Sequence, residues 1–94
     1  MAWQIKGPWI NPGETWIHWF SFDDHAWKGI QVYAAKPVQT VQSSGGITVS
    51  FQFPSTLTVH DSEVLWTDEG YVYRVQVTNK GPEGTDYELW GTEA

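Results

Sequence analysis

The sequence predicts an all-β fold, a single antiparallel β-sandwich of roughly six to seven strands. Gly, Pro, Asn and Asp recur at short intervals along the chain, which is typical of short strands joined by tight turns. Between them, apolar and polar residues alternate with a period of two. No window has the spacing of an amphipathic helix, so we expect no substantial helix. The 94 residues are enough for one domain, at 1–94.

The first strands follow from the turn residues that separate them. A short strand at 3–6 ends before Gly7-Pro8, and Asn11-Pro12-Gly13 is expected to form a turn, because proline sets φ and glycine allows a positive φ. The next segment, 14–22, carries apolar residues on both of its faces. We therefore expect a central strand here, or one that is covered on both sides.

The segment 28–36 alternates well enough for its two faces to be assigned. One set is expected to point toward the core: Ile30, Val32 and Ala34. The other set takes the opposite face: Gln31, Tyr33 and Ala35. Pro37 is expected to end this strand, because proline has no N–H to donate to a neighbouring strand.

The middle of the chain predicts two more strands. The residues 43–46, Ser-Ser-Gly-Gly, are expected to form a turn or mobile loop before a half-buried strand at 47–53, which Pro54 closes. In 57–66 the apolar residues change from odd to even positions midway. We therefore predict a β-bulge or tight bend across His60-Asp61-Ser62.

The strongest alternation lies at 71–79, after a hairpin turn at 68–70. It ends in a predicted turn, Asn79-Lys80-Gly81-Pro82, and a last strand contains Tyr87 and Leu89. This last third of the chain, with its V-x-V-x-N-x-G-P strand end, resembles the closing hairpin of bacterial immunoglobulin-like modules. The resemblance implies an adhesive or spacer module without catalysis and transfers no site residues. We expect an immunoglobulin-like or jelly-roll-like sandwich.

The charge balance argues against several classes of partner. Eleven acidic and five basic residues give a net charge of −6, whereas nucleic acids and anionic membrane surfaces require a basic patch. We find no apolar run for a transmembrane helix and no signal-peptide pattern, so we expect no membrane insertion, and either the cytoplasm or export of a leaderless chain is compatible. No cofactor is expected.

The seven tryptophans exceed what one small core can hold. Trp16 and Trp19 would lie on opposite faces of one strand, so they cannot both enter the same core. Three explanations stand: core packing with end caps, an interface with another chain, and a platform for sugar rings. Sugars stack C–H faces on Trp, while acids and amides bind their hydroxyls. These residue types give a candidate ligand patch: Trp9, Trp16, Trp27, Asp23, Asp24 and Gln31.

Two clusters carry reactive side chains. The first has residue types that bind zinc: His18, Asp23, Asp24 and His25. Its spacing matches no known ligand signature, so we assign no metal site and expect the Asp pair to cap a turn. The second cluster, Asp61 and Glu63 beside His60, could resemble a hydrolytic acid pair. Because it lies at the predicted bulge, we interpret it as solvated loop acids.

These observations predict a non-enzymatic binding module that acts through a Trp-rich surface. The expected partner is a carbohydrate or a protein surface, and we also expect self-association into a homo-oligomer. The alternative is a structural subunit of a homo-oligomeric assembly, whose aromatic residues form the subunit interface. The third hypothesis is a small enzyme that uses Asp61 and Glu63.

Overall fold

The computed structural model describes residues 2–42, 48–51 and 55–94, and it confirms an antiparallel β-sandwich. The strands in those ranges are β1 Trp3–Lys6, β2 Thr15–Phe20, β3 Gln31–Gln42, β4 Thr48–Phe51, β5 Ser55–Thr67, β6 Gly70–Pro82 and β7 Asp86–Glu93. The helical content of the described chain is one 3-10 turn at Asp23–His25. The turn expected at 43–46 and the strand end expected at Pro54 lie outside the described residues.

The strands form two sheets that pack against each other. The order is β1-β7-β3-β4 in one sheet and β2-β6-β5 in the other. Every pairing between these strands is antiparallel. β6, β7 and β3 each have a neighbour on both sides, and the buried core lies between β6 and β7.

The buried core residues follow the alternation that the sequence predicts for β6 and β7. Among the residues whose burial the structure describes, six hydrophobic side chains are fully or almost fully buried: Ile10, Tyr73, Val75, Val77, Tyr87 and Leu89. Five of them come from the odd positions of β6 and β7, so the alternation predicted at 71–79 is confirmed. Partly buried residues of the other strands, among them Trp3, Ile5 and Phe20, pack against this cluster.

The expectation that β2 is central or covered on both sides is wrong. Among the described strands, β2 pairs only with β6 and therefore lies at an edge of its sheet. Ile17 and Trp19 occupy its outer face and are exposed. The Arg74 guanidinium lies 5.5 Å from the Trp19 ring, which supplies a cation–π contact in place of burial.

The faces assigned to β3 are also wrong. Gln31 is buried and Tyr33 is half-buried, whereas Ile30 and Val32 are 68% and 54% exposed. Alternation alone could not choose between the faces because both contain apolar residues. A glutamine can point inward when its amide has hydrogen-bond partners, and Trp3 Nε1 donates to Gln31 Oε1 at 3.0 Å.

Pro37 does not end β3, which continues to Gln42. Pro37 pairs with Tyr87 of β7, and pairing with β4 starts at Gln39. Among the described residues, Pro37 is therefore in register with a strand on one side, and a residue without an N–H is tolerated in a strand where no ladder hydrogen bond from it is needed.

The turns at Pro12-Gly13 and Asp68-Glu69 are confirmed, but β6 continues through the turn predicted at 79–82. Buried Asn79 holds this strand end in place. Its Nδ2 donates to the carbonyls of Ile10, at 3.1 Å, and Glu83, at 2.8 Å. Its Oδ1 accepts from the backbone N–H of Gly81 at 2.8 Å. The amide thus satisfies backbone groups from three segments without a turn at this point.

The predicted bulge in β5 is confirmed. The pairing of β5 with β6 shifts by one residue between His60 and Glu63, and Asp61 has a φ of 50°. The shift places Val64 and Trp66 on the core-facing side of their sheet, in register with tyrosines of β6. The bulge therefore determines which face of the sheet the last residues of β5 occupy.

Candidate functional site

Six of the seven tryptophans are exposed, as expected from a surplus over what the core can hold. They are Trp9, Trp16, Trp19, Trp27, Trp66 and Trp90. Trp3 is partly buried and packs against the core. The exposed rings do not form one surface, because they lie on both outer faces and at both ends of the sandwich.

The aromatic end, formed by Trp27, Ile30, Val64, Trp66 and Tyr71, gathers two of these tryptophans. Tyr71 connects them: its ring centroid lies 4.7 Å from that of Trp66 and 5.3 Å from that of Trp27. Trp66 faces the inner side of its sheet, yet 73% of it is exposed because the opposite sheet does not cover it. The aromatic end is therefore the place where the inner layer of the sandwich meets solvent.

Tyr73 fixes the segment that carries Trp27. Its hydroxyl accepts a hydrogen bond from the backbone N–H of Lys28 at 3.0 Å and donates to the Gly29 carbonyl at 2.9 Å. Its ring is stacked between Trp27, at 6.3 Å, and Phe20, at 5.7 Å. The segment that carries Trp27 is thus anchored on a buried tyrosine.

A pocket of about 300 Å³ lies at the same end of the sandwich. This Trp3 pocket is lined by Ala2, Trp3, Phe22, Asp23, Lys28, Gln31 and Glu93. Gln31 also lines a smaller cavity, of about 90 Å³, between Ile30 and Val64. The pocket and the aromatic end are therefore neighbours that share one buried amide.

Hydrogen bonds and one ion pair organise the Trp3 pocket. Lys28 Nζ lies 3.0 Å from Asp23 Oδ2. This hydrogen bond and the carboxylate's charge raise the pKa of Lys28, with a smaller contribution from Glu93. Gln31 Nε2 donates to the Lys28 carbonyl at 2.9 Å, and Gln31 Oε1 accepts from Trp3 Nε1. The pocket therefore offers two carboxylates, an ammonium and an amide beside an indole ring.

Glycine residues make room for three aromatic rings. Gly7 lies against Tyr87, Gly84 against Trp9 and Gly91 against Trp3. A β carbon on Gly91 would overlap the six-membered ring of Trp3, so this glycine is what allows the indole to lie across β7. The position of the pocket wall thus depends on a glycine in the neighbouring strand.

The structure divides the candidate ligand patch into two groups. Asp23 and Gln31 line the Trp3 pocket, Trp27 belongs to the aromatic end, and Asp24 is exposed in the turn beside them. The other two members lie in the opposite half. Trp9 donates to Asn11 Oδ1 at 3.1 Å, and Trp16 is in register with Val77.

Sequence reasoning missed the pocket residues Trp3, Phe22, Lys28 and Glu93. Trp3 and Glu93 come from opposite ends of the chain and meet because β1 pairs with β7, while Gln31 joins them because β3 flanks β7 on the other side. Local alternation contains no signal for that strand order. Phe22 and Lys28 flank the turn that holds the predicted aspartates, so only their proximity in sequence to Asp23 could have suggested them.

Three of the four residues considered as metal ligands have separate partners. His18 is hydrogen-bonded to the Tyr87 hydroxyl, His25 Nε2 lies 3.7 Å from Glu69 Oε2, and Asp23 pairs with Lys28. Burial lowers the pKa of His18 and is the main cause that raises the pKa of Tyr87 to about 12. Within residues 2–42, 48–51 and 55–94, no three His, Cys, Asp or Glu side chains group to hold a metal ion.

The two acids at the bulge are each engaged by a different basic residue. Asp61 Oδ2 lies 2.9 Å from His60 Nδ1. Glu63 Oε1 lies 3.0 Å from buried Arg74 Nε, although that N–H is not aligned with it. The two carboxylates are therefore not arranged as a pair around a common cavity.

Comparison with known proteins gives no relative: no protein-family model, curated protein or solved structure matches the chain. The resemblance of the last third to bacterial immunoglobulin-like modules therefore stays a prediction. In the part of the chain that the structure describes, no helix has the length and apolar character needed to cross a membrane.

Proposed function

We propose that this chain is a non-enzymatic binding module that recognises a carbohydrate through the aromatic end. The observation that carries the proposal is the pair of exposed indoles, Trp27 and Trp66, joined by Tyr71 on one surface. Exposed apolar patches with polar rims mark interaction sites on small proteins. Because Tyr73 anchors the segment behind Trp27, little ordering is needed on binding.

The surroundings of the aromatic end support a sugar rather than a charged polymer. The overall charge of −6 opposes polyanions, and the polar groups beside the aromatic end include carboxylates, an ammonium and an amide. Sugar hydroxyls can donate hydrogen bonds to the carboxylates, accept them from the ammonium, and do both with the amide. The engagement of Asp61 and Glu63 by basic neighbours supports binding without hydrolysis.

Affinity electrophoresis in gels that contain a neutral polysaccharide, such as a β-glucan or a galactomannan, tests this function. The wild-type chain is expected to be retarded in at least one gel. Trp66→Ser should bind about tenfold more weakly, because it removes the more exposed of the two indoles of the surface. Trp19→Ser is the matched control, since Trp19 is 57% exposed on an outer face. Equal retardation of Trp66→Ser and wild type, or no retardation in any gel, would contradict the proposal.

Self-assembly is the second candidate, and one surface favours it. A shallow cavity of about 200 Å³ on the outer face of the larger sheet is lined mainly by Ala2, Val32, Ala34, Trp90 and Thr92. Such an apolar strip could pack against another chain. Light scattering of the wild type and Val32→Asp decides this candidate: a defined oligomer that the substitution dissociates supports it, and a wild-type monomer removes it.

A further inference from the structure

We infer that the Trp3 pocket is a separate subsite that binds one neutral monosaccharide unit. The inference rests on the proposed function, because it identifies which part of a carbohydrate the Trp3 pocket would bind beside the aromatic end. The pocket adjoins the aromatic end through Gln31, which lines the cavities on both sides.

The size of the pocket suits one small ligand. Its volume is about 300 Å³. Ligand pockets in proteins span about 300–1,000 Å³, so this one lies at the lower limit. A single sugar ring is of that scale, whereas several linked rings would have to extend onto the neighbouring aromatic end.

Gln31 supplies buried hydrogen-bonding capacity that is only half used. The residue is 7% exposed, so its amide is shielded from bulk water. A primary amide has two N–H donors and two lone pairs. Among the hydrogen bonds of the described residues, Trp3 uses one lone pair and the Lys28 carbonyl uses one N–H. A sugar hydroxyl, which both donates and accepts, can meet the other pair.

The charges around the pocket favour a neutral ligand. Asp23 and Glu93 bring two carboxylates, and Lys28 brings one ammonium that is already bonded to Asp23. An anion would meet a net negative charge, because two carboxylates outnumber the one ammonium, and a cation would have to give up its own hydration on entering the pocket. A ligand of hydroxyl groups can donate to Asp23 and Glu93 and accept from Lys28 without desolvating a charge of its own.

The apolar side of the pocket is fixed in advance. The Trp3 indole is held by its hydrogen bond to Gln31 and by the space that Gly91 leaves for it. Phe22 packs against Trp3 with ring centroids 5.9 Å apart. Two rings held in this way provide a wall for the C–H face of a sugar with little ordering on binding.

The test is a titration of the ¹⁵N-labelled chain followed through its seven tryptophan indole N–H signals. Trp3→Phe assigns the Trp3 signal. The probes are one ring in three charge states, D-glucose, D-glucuronate and D-glucosamine, with D-galactose and N-acetyl-D-glucosamine as further neutral sugars. Concentrations up to about 50 mM cover the weak affinity, a Kd near about 1 mM, expected for a single unit.

At least one neutral sugar is expected to shift the Trp3 indole and the Gln31 side-chain amide saturably, leaving the Trp9 signal unchanged. Glucuronate and glucosamine should bind about tenfold more weakly than the best neutral sugar. Asp23→Asn and Glu93→Gln, both at exposed positions, should each raise the Kd about tenfold. Asp86→Asn and Glu88→Gln, on the same strand as Glu93 but outside the pocket, are matched controls.

The inference fails if no neutral sugar shifts the Trp3 signal, if a charged probe binds more tightly than every neutral one, or if the pocket variants bind like their controls. The proposed function has its own readout. If monosaccharides leave the Trp3 indole signal unchanged while retardation by polysaccharide still depends on Trp66, the inference about the pocket is refuted and the proposed function of the aromatic end is supported. If neither readout responds, both fall.

Discussion

At the residue scale, the polar side chains that lie inside the sandwich act as connectors between segments. Asn79 joins the end of β6 to the carbonyls of Ile10 and Glu83. Gln31 joins β3 to β1 through Trp3. Each buried amide therefore holds together parts of the chain that are not paired as neighbouring strands. Such groups stabilise the fold when they are paired and destabilise it strongly when one partner is removed.

Asn79→Ala should lower the free energy of unfolding by about 3 kcal/mol, because it leaves buried backbone groups without their partner. Urea unfolding followed by tryptophan fluorescence measures the change. Asn11→Ala, at an exposed position, should cost much less. A loss for Asn79→Ala no larger than that of the control would show that water replaces the amide.

His18 should make the fold less stable in acid. Its pKa is lowered by burial from the ordinary 6.5, so the unfolded chain binds a proton at a higher pH than the folded one. Stability is therefore full above 6.5 and falls as the pH drops from 6.5 toward the folded pKa. Urea midpoints measured across this range should decline with acid in the wild type. His18→Gln should flatten that decline, and an unchanged slope in this variant would contradict the assignment.

At the element scale, the sequence predicts an element best when its two faces differ. β6 alternates bulky apolar and polar residues, so its two faces could be predicted, and the bulge in β5 could be predicted from the phase change of that strand's own apolar residues. β2 and β3 have apolar residues on both faces, and their placement depends on long-range partners. The inward face of β3 is decided by the match between Gln31 and Trp3, which local alternation does not contain.

The contact between β1 and β7 at Gly91 gives a prediction for that pair of strands. Gly91→Ala should destabilise the fold by about 1–3 kcal/mol, because a β carbon there overlaps the Trp3 ring and forces it to move. Thermal unfolding measures the loss, and the indole signal of Trp3 should shift. Thr92→Ala, the next residue and exposed, is the control. A Gly91→Ala variant as stable as this control would show that Trp3 adapts freely.

At the scale of the whole molecule, the chain is elongated. Its radius of gyration is 15.3 Å, whereas a compact chain of this length has about 12 Å, and its longest dimension is 51 Å. An elongated sandwich has less interior for large side chains, which explains the exposed tryptophans. Residue types could suggest Asp23, Trp27 and Gln31 as site residues, but Trp3 and Glu93 join them only through the strand order.

The central claim is that Trp27 and Trp66 act together as one carbohydrate-binding surface. The most direct measurement is a titration of the ¹⁵N-labelled chain with a neutral oligosaccharide cut from the polysaccharide that retards it. The indole signals of Trp27 and Trp66 are expected to shift together with one Kd, while those of Trp9 and Trp19 stay in place. Shifts centred on Trp19 or Trp90, or no shift at Trp27 and Trp66, would contradict the account.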